Sequence, residues 1–471
     1  MSRKYYIQTL GCQMNKNDSE RIAGLLSAMG KEPVEKSQDA DIIIVNTCSV
    51  RQTAEERIFG LFENWKKYRI AKPHLITVIT GCMAGRDRDG KIRARMSEVD
   101  LFFGIDELPK LPEWIAEKWG EENIAGRMED YLLIAPLRAN KFQNFVTIQT
   151  GCENFCTYCV VPYARGRERN RPVVEILREI EMAVAGGSKE ITLLGQVVNH
   201  YIAPDPGCFS VANPFVIPTE PHGRVEGSLG VLNLRDSSTT LGMTACDHFA
   251  ALLWEINEIP GEFRIHYTAP DPQYFNEHQI DSLSLPKQVN FLHLPVQSVD
   301  NDVLKKMNRK YTREYYIDLI KKIRFARPEI ALGTDIIVGF CGETDEQFQN
   351  TFDLFKQCDF DISYHAMYSE RSGTAAAKAF KDDVPPAIKK ERWNILQKYM
   401  EERVLAKNQK YLGTTVRVLV DKCANGICAG NSDEMKLVQF AGTPEMVGTF
   451  QKIKITQPMA WVMRGVLSGS L

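Results

Sequence analysis

The chain has 471 residues, 44% of them apolar, and carries 58 Lys or Arg against 60 Asp or Glu. This length predicts about three domains, and the composition excludes collagen-like, low-complexity and wholly disordered proteins. No apolar run approaches the ~20 residues of a membrane span, and the first residues show neither a signal peptide nor a transit peptide. We therefore expect a cytoplasmic protein that does not bind membranes.

Residues 1–120 alternate between strand-like and helix-like segments. The predicted strands are residues 5–9, 41–46, 75–80 and 100–103, and the predicted helices are residues 18–29, 53–67 and 108–118. The continuous apolar run from Ile42 to Val45 is typical of a parallel strand that is buried on both faces. The alternation predicts a doubly wound α/β domain.

A second series of strands and helices occupies residues 138–405, after a polar connection. Its predicted strands are residues 145–150, 190–194, 263–267, 289–294, 331–338 and 361–367. Six β/α units favour a partial (β/α)6 barrel over a complete eight-unit barrel. Within this series, residues 203–246 contain five prolines and no clear periodicity, so this long loop stays unassigned.

The last predicted domain covers residues 406–471. A long helix is predicted at residues 388–409, and short strands follow at residues 415–420, 426–429, 437–440 and 452–457. This pattern predicts a small all-β barrel. Residues 410–471 hold seven Lys or Arg against four Asp or Glu, a positive balance that modestly supports nucleic-acid binding.

Three of the twelve cysteines lie within eight residues, at Cys152, Cys156 and Cys159. On a helix these spacings would share one face, but the outer thiols would then be ~10 Å apart along the axis. The flanking Gly151 and Pro162 favour a loop instead. Wrapped as a loop, three thiolates can each bind one iron of a cubane cluster and leave the fourth iron open.

A second trio of cysteines is spread along the first domain. Cys12, Cys48 and Cys82 each follow a predicted strand. Because the carboxyl ends of the strands in a doubly wound sheet meet at one crevice, we expect these thiols to form a second three-thiolate site. Taken singly, each would more often be a small buried hydrophobe. The other cysteines are expected to be free thiols: Cys208, Cys246, Cys341, Cys358, Cys423 and Cys428.

The Cys-x3-Cys-x2-Cys motif, with Tyr158 before its last cysteine, resembles the radical S-adenosylmethionine enzymes. Together with the second trio, it resembles their methylthiotransferase family, over nearly the whole chain apart from residues 203–246. The supporting segments are Gly11-Cys12, Asn46-Thr47-Cys48, Thr80-Gly81-Cys82, Leu294-Pro295-Val296-Gln297-Ser298, Met307-Asn308-Arg309-Lys310-Tyr311 and Gly342-Glu343-Thr344. The C-terminal segment resembles the TRAM RNA-binding domain of that family.

The residues after Cys12 distinguish the branches of this family. Gln13-Met14-Asn15 is similar to the branch that methylthiolates isopentenyladenosine in tRNA. The branch that modifies a ribosomal-protein aspartate typically has Pro-Lys there, and the branch for threonylcarbamoyladenosine has Lys-Val. These two targets remain alternatives, and a non-catalytic RNA-binding protein with structural zinc is an alternative of another class.

The resemblance implies a radical mechanism, which suits an aromatic C–H bond that no side-chain base can ionise. One 4Fe-4S cluster, on Cys152, Cys156 and Cys159, would cleave S-adenosylmethionine to a radical. A second 4Fe-4S cluster, on the other trio, would carry the sulfur, and two S-adenosylmethionine molecules would be used per turnover. The expected partners are the tRNA anticodon stem-loop carrying isopentenyladenosine and an electron donor such as flavodoxin or ferredoxin. We expect a monomer.

Further contacts are expected from residues at strand ends and in basic runs. The expected cofactor contacts are Tyr158, Gly195, Gln196, Gln297 and Glu343, and the expected RNA contacts are Arg165, Arg167, Arg309, Lys310 and Arg313. Plain packing or a solvated surface remains the alternative for each. The chain departs from the family pattern at Val197, Cys341 and Asn431, where the family has Asn, Pro and Arg.

Overall fold

The N-terminal domain is a five-stranded parallel sheet in the order β2-β1-β3-β4-β5. The computed structural model describes residues 3–48, 52–96, 98–121, 129–218, 243–245 and 247–469. The strands are β1 (Lys4–Leu10), β2 (Glu32–Pro33), β3 (Ile42–Thr47), β4 (Ile76–Gly81) and β5 (Leu101–Phe103). The helices are α1 (Gln13–Ala28), α2 (Gln52–Ala71), α3 (Cys82–Gly85), α4 (Lys91–Ala94) and α5 (Leu111–Trp119). Separate apolar cores cover the two faces of the sheet, so the predicted doubly wound fold is confirmed.

Helix α1 begins five residues earlier than the predicted helix, directly after Cys12. The carbonyl of Cys12 accepts the first helical hydrogen bond, from the amide of Lys16 at 3.1 Å. The polar side chains of the first turns are buried because they face the second domain. The Asn17 amide donates to the carbonyl of Phe145 at 3.0 Å, and the Thr147 hydroxyl donates to Asn17 at 2.8 Å.

The second domain contains two three-stranded parallel sheets, β6-β9-β12 and β13-β14-β15. A parallel bridge between Ile265 and Gln288 joins them, so six strands follow one another in chain order and the predicted partial barrel is confirmed. The strands are β6 (Gln143–Thr147), β7 (Gln149–Thr150), β8 (Arg169–Asn170), β9 (Glu190–Leu194), β10 (Val216–Pro218), β11 (Met243–Ala245), β12 (Arg264–Tyr267), β13 (Phe291–His293), β14 (Ala331–Val338) and β15 (Ile362–Met367). The helices are α6 (Val161–Arg165), α7 (Val173–Ala185), α8 (His248–Glu258), α9 (Glu277–Ser282), α10 (Asn301–Lys306), α11 (Arg313–Ala326), α12 (Asp345–Cys358), α13 (Ala375–Ala379) and α14 (Pro386–Gln409).

The beginning of the unassigned stretch at residues 203–246 packs against the barrel. Phe209 and Phe215 are buried in the main core, and the Asn213 amide donates to the carbonyl of Ala251 at 3.0 Å. Strands β10 and β11 pair antiparallel. Residues 203–218, which include four of the five prolines, therefore form an ordered segment over helices α7 and α8. Residues 219–242 and Cys246 lie outside the described residues.

The C-terminal domain is a closed five-stranded barrel in the order β16-β17-β18-β20-β19, as the small predicted barrel requires. The strands are β16 (Thr415–Ala424), β17 (Ile427–Ser432), β18 (Leu437–Ala441), β19 (Phe450–Pro458) and β20 (Met463–Leu467), the last of which the sequence pattern did not reveal. Asp433, after β17, reaches the floor of the partial barrel, where it pairs with the buried Arg264 at 3.2 Å. Arg264 also pairs with Glu190 at 2.7 Å. No helix in the described part of the chain has both the length and the apolar character needed to cross a membrane.

Candidate active site

The segment that carries Cys152, Cys156 and Cys159 is a loop, so the helical alternative is wrong. The loop is entered through Gly151, whose φ of +78° and close approach to the carbonyl of Arg167 leave no room for a Cβ. Burial raises the pKa of the Cys152 thiol to about 11 and that of the Cys159 thiol to about 12. Cys156 raises both pKa values as well, which shows that the three sulfurs interact electrostatically.

The segment after α10 clamps this loop from one side. The Asn308 amide donates to the carbonyls of Asn154 and Phe155, both at 3.1 Å. The Arg309 guanidinium donates from Nη1 to the Cys156 sulfur at 3.2 Å and pairs through Nη2 with Asp271 at 3.0 Å. The Arg309 side chain is only 8% exposed, so it presents little of its charge to solvent, and its role as an RNA contact stays a prediction. The positive charge lies instead beside a cysteine sulfur.

The second trio lies at one end of the N-terminal sheet. The strand register pairs Leu10 with Thr47 and Thr47 with Gly81, so β1, β3 and β4 end level with one another. Cys12, Cys48 and Cys82 follow these strand ends by one or two residues. Burial raises the pKa of the Cys82 thiol, the Arg165 charge lowers this pKa, and Cys12 raises it. The sulfurs of Cys12 and Cys82 therefore interact electrostatically.

A polar network fixes the entry to the second trio. The Asn15 carbonyl oxygen Oδ1 accepts from the amide of Cys12 at 3.3 Å, and its Nδ2 donates to Asn46 at 3.0 Å. Gly81 has a φ of +97°, and a Cβ there would lie 2.5 Å from both Asn46 and the carbonyl of Thr47. The residues beside Cys12 and Cys82 therefore shape tight turns at the sheet edge.

Helices α3 and α6 bring the segments that carry the two trios into contact. Cys82 begins α3, and α6 follows Cys159 by two residues. Gly85 approaches the carbonyl of Ala164 so closely that a Cβ would overlap it. At the end of α6, the Arg165 Nε donates to the Cys82 sulfur at 3.4 Å. A residue six positions after the first trio thus contacts the second trio directly.

We expect Gly85→Ala to lower the free energy of unfolding by about 1–3 kcal/mol, because the new methyl group overpacks the contact between α3 and α6. Urea unfolding of the apoprotein measures this effect. Gly60→Ala is the control, since Gly60 lies in helix α2 with nothing near the added Cβ, and we expect it to stabilise. Equal unfolding midpoints for the two variants would contradict the prediction.

Each trio offers three thiols, which as thiolates are the donors that proteins use to hold iron–sulfur clusters. Within the described ranges, no three His, Cys, Asp or Glu side chains are grouped closely enough to ligate one ion. In a cubane each thiolate binds a different iron, so three thiolates leave one iron open. The donor chemistry of each trio is therefore compatible with a 4Fe-4S cluster, and a cluster on the second trio is a proposal.

The expected cofactor contacts have different surroundings. Gln196 accepts from the amide of Gly151 at 2.7 Å, and Gly195 packs against the backbone of Val198, so both shape the cysteine loop. Gln297 has a φ of +67°, which is strained for glutamine. Its half-buried side chain makes no hydrogen bond to another described residue, which leaves it available to a ligand. Tyr158 packs against the apolar cluster around Phe340.

The Glu343 carboxylate is not solvated. Its Oε2 is occupied by hydrogen bonds within the protein and is not available to a cofactor. This buried carboxylate oxygen accepts from the amide of Gly339 at 2.6 Å and from Arg392 at 2.7 Å. Burial raises the pKa of Glu343, and the Arg392 charge opposes this change. Glu343 therefore holds the turn after β14, a role that the motif alone did not reveal.

The expected RNA contacts do not form one basic surface. Arg165 pairs with the buried Asp18 at 2.5 Å, and its side chain is 2% exposed, so its role as a phosphate contact stays a prediction that this burial does not favour. Arg167 and Lys310 are exposed, while Arg313 is partly buried and pairs with Asp353. Of the expected RNA contacts, Arg167 and Lys310 present exposed charges.

The fold and the cysteine loop define a radical S-adenosylmethionine enzyme. The family model described as Radical SAM superfamily matches residues 146–355, and the model described as Uncharacterized protein family UPF0004 matches residues 4–104. The fold resembles the radical S-adenosylmethionine methyltransferase TsrM from Kitasatospora setae, with a TM-score of 0.52 and 14% identity over 95% of this chain and 83% of that chain. A fold of this class implies one 4Fe-4S cluster and S-adenosylmethionine.

Whole-chain relatives narrow this class further. The tRNA-2-methylthio-N(6)-dimethylallyladenosine synthase of Bacillus pumilus is 39% identical over 99% of this chain and 86% of its own length. The enzyme of the same name from Geobacillus thermodenitrificans is 37% identical over 99% of this chain and 84% of its own length. The chain belongs to the family of tRNA-2-methylthio-N(6)-dimethylallyladenosine synthases.

Proposed function

We propose that this protein methylthiolates carbon 2 of isopentenyladenosine next to the anticodon of tRNA. The observation that carries the proposal is the contact between the two segments that carry the cysteine trios, in which Arg165 donates to the Cys82 sulfur. The relatives are named for the same substrate. Neither threonylcarbamoyladenosine nor a ribosomal-protein aspartate is favoured by these comparisons.

Each trio has a separate role in this proposal. Cys152, Cys156 and Cys159 would hold the 4Fe-4S cluster that binds S-adenosylmethionine, and Cys12, Cys48 and Cys82 would hold a second cluster. The bound clusters supply one-electron cleavage of S-adenosylmethionine and a transferable sulfur, with two S-adenosylmethionine molecules used per turnover. Residues of the protein would orient the two clusters. Asn308 and Gln196 hold the loop that carries Cys152, Cys156 and Cys159, and Asn15 holds the backbone at Cys12.

The loop that carries the first cysteine trio also offers a surface for an extruded base. Phe155 is 50% exposed in the cysteine loop, and its ring meets Tyr163 edge-on with centroids 6.4 Å apart. Recognition of single-stranded RNA commonly stacks an unpaired base on such rings. Arg167 and Lys310 provide charges for the neighbouring phosphates. We propose that the anticodon loop binds here, to a monomer reduced by a flavodoxin or ferredoxin.

Mass spectrometry of tRNA nucleosides tests the function. A bacterial strain that lacks its own methylthiotransferase for isopentenyladenosine should regain the 2-methylthio nucleoside when it expresses this chain. A strain carrying a Cys12→Ala, Cys156→Ala variant should accumulate unmodified isopentenyladenosine. Unchanged isopentenyladenosine with the natural chain would contradict the proposal, and methylthiolation of threonylcarbamoyladenosine or of the ribosomal protein would support an alternative target.

The closed C-terminal barrel, in this proposal, is a TRAM-like domain that binds the tRNA backbone. Lys452, Lys454 and Arg464 are exposed on its strands β19 and β20. We expect their joint replacement by alanine to weaken tRNA binding and to reduce the slope of log K against log salt by about 2, because three phosphate contacts are lost. Filter binding across a salt series measures the slope.

The matched control removes the same charge from the outer faces of helices. Lys321, Lys356 and Lys390 are exposed on α11, α12 and α14, which are helices of the second domain. Their joint replacement by alanine should leave the salt slope nearly unchanged. Equal slopes for the two triple variants would contradict an RNA-binding role of the C-terminal barrel.

A further inference from the structure

Arg165 is a buried cation between the two cysteine trios. Its Nε donates to the Cys82 sulfur at 3.4 Å, and its Nη2 and Nη1 donate to the two carboxylate oxygens of Asp18 at 2.5 and 3.4 Å. The Arg165 side chain is 2% exposed and that of Asp18 is fully buried. One guanidinium therefore binds the Asp18 carboxylate through its two terminal nitrogens and the Cys82 sulfur through its Nε–H group.

Stability alone gives a weak reason for this arrangement. Removing two charges from water costs several kcal/mol per ion, and well-packed apolar residues in place of a buried pair are often neutral or stabilising. A guanidinium is the side chain that can hold a carboxylate bidentately and still donate elsewhere, whereas an ammonium is a point charge. The geometry is therefore suited to orienting the sulfur of Cys82.

The other trio repeats the arrangement independently. Arg309 donates to the Cys156 sulfur and pairs with Asp271, and both side chains are nearly buried. Arg165 and Arg309 lie on different elements, α6 and the segment after α10. Two separate sites thus combine one cysteine sulfur, one buried arginine and one buried aspartate, which argues against a coincidence of packing.

We infer that Arg165, held by Asp18, is a positioning residue that fixes Cys82 as a cluster ligand and keeps a permanent positive charge beside the second cluster. This inference rests on the proposed function, because it requires a cluster on Cys12, Cys48 and Cys82. It also explains how the chain links its two sites: the segment of residues 160–165 ties the position of Cys82 to that of Cys159.

The test uses the full chain with Cys152, Cys156 and Cys159 replaced by alanine, so that only the second trio can hold iron. After anaerobic reconstitution, we measure iron and sulfide per chain and the midpoint potential by electron paramagnetic resonance. Arg165→Gln should lower the iron content at least twofold and shift the potential of the remaining cluster to more negative values. Arg165→Lys should restore part of the shift, because it restores the charge.

Controls separate this inference from folding and from the proposed function. Arg69→Lys alters an arginine–aspartate pair within the N-terminal domain, which carries Cys82, with Asp100 at 2.5 Å, and should change neither reading. Circular dichroism of the apoproteins checks folding, and Asp18→Asn should reproduce the loss if Arg165→Gln misfolds. Unchanged iron and potential in folded Arg165→Gln or Asp18→Asn would overturn the inference alone. Absence of iron before any change at Arg165 would overturn the proposed second cluster and this inference together.

Discussion

Cys156→Ala should abolish cleavage of S-adenosylmethionine while the second cluster survives. Cys156 belongs to the loop trio, and two remaining thiolates hold a cubane poorly. Iron should fall from about eight to about four per chain, corresponding to one cubane of four. The measurements are iron and sulfide analysis after anaerobic reconstitution and chromatography of 5′-deoxyadenosine.

Cys208→Ala is the matched control for this variant. Cys208 is exposed and lies outside both trios, so its loss should leave iron and cleavage at the level of the unsubstituted chain. Retained cleavage in Cys156→Ala would refute the assignment of the loop trio. Loss of all iron would refute the independence of the two clusters.

Cys82→Ala should give the opposite pattern, which makes it the second prediction with a large effect. Cleavage of S-adenosylmethionine should continue, because the loop trio and its clamp at Asn308 and Arg309 are intact. Methylthiolated nucleoside should fall below detection, because the sulfur site has lost a ligand. The assay combines 5′-deoxyadenosine and tRNA nucleosides from one reaction with an isopentenyladenosine-containing anticodon stem-loop.

The outcome that would contradict this second prediction is undiminished transfer of the methylthio group. Loss of cleavage together with transfer would show that the two trios do not act separately. The Cys82→Ala protein should also lose the sulfur contact of Arg165, so its remaining iron should titrate as a single species. Reductive titration followed by spectroscopy distinguishes one species from two.

The sequence predicted the strands well because their apolar runs are local signals. The continuous apolar residues of β3 define a strand wherever they lie, and the level strand ends after β1, β3 and β4 follow from parallel topology. The placement of the second trio at one sheet edge was therefore accessible from the sequence. The fifth strand of the C-terminal barrel was missed because residues 463–467 carry little alternation.

Residues at the contact between domains were misread, since sequence patterns do not show what lies opposite. Asp18 was the first residue of the predicted helix, although α1 starts at Gln13 and buries Asp18 against Arg165. Arg165 and Arg309 looked like parts of solvated basic runs, although each donates to a cysteine sulfur. A polar helix face beside a cysteine motif, with no apolar stripe of its own, is the signal that could have indicated the buried contact.

The contact of Asp433 with Arg264 has a consequence for how tRNA must be presented. Asp433 belongs to the C-terminal barrel, and Arg264 lies in β12 of the partial barrel. An ion pair between the buried Arg264 and the partly exposed Asp433 therefore joins the two barrels in addition to the chain that connects them. The distance between the cationic strands β19 and β20 and the two cysteine trios is therefore fixed in the folded chain. Under the proposed function, the nucleic acid and not the enzyme supplies the flexibility that brings the modified adenine to the reacting groups.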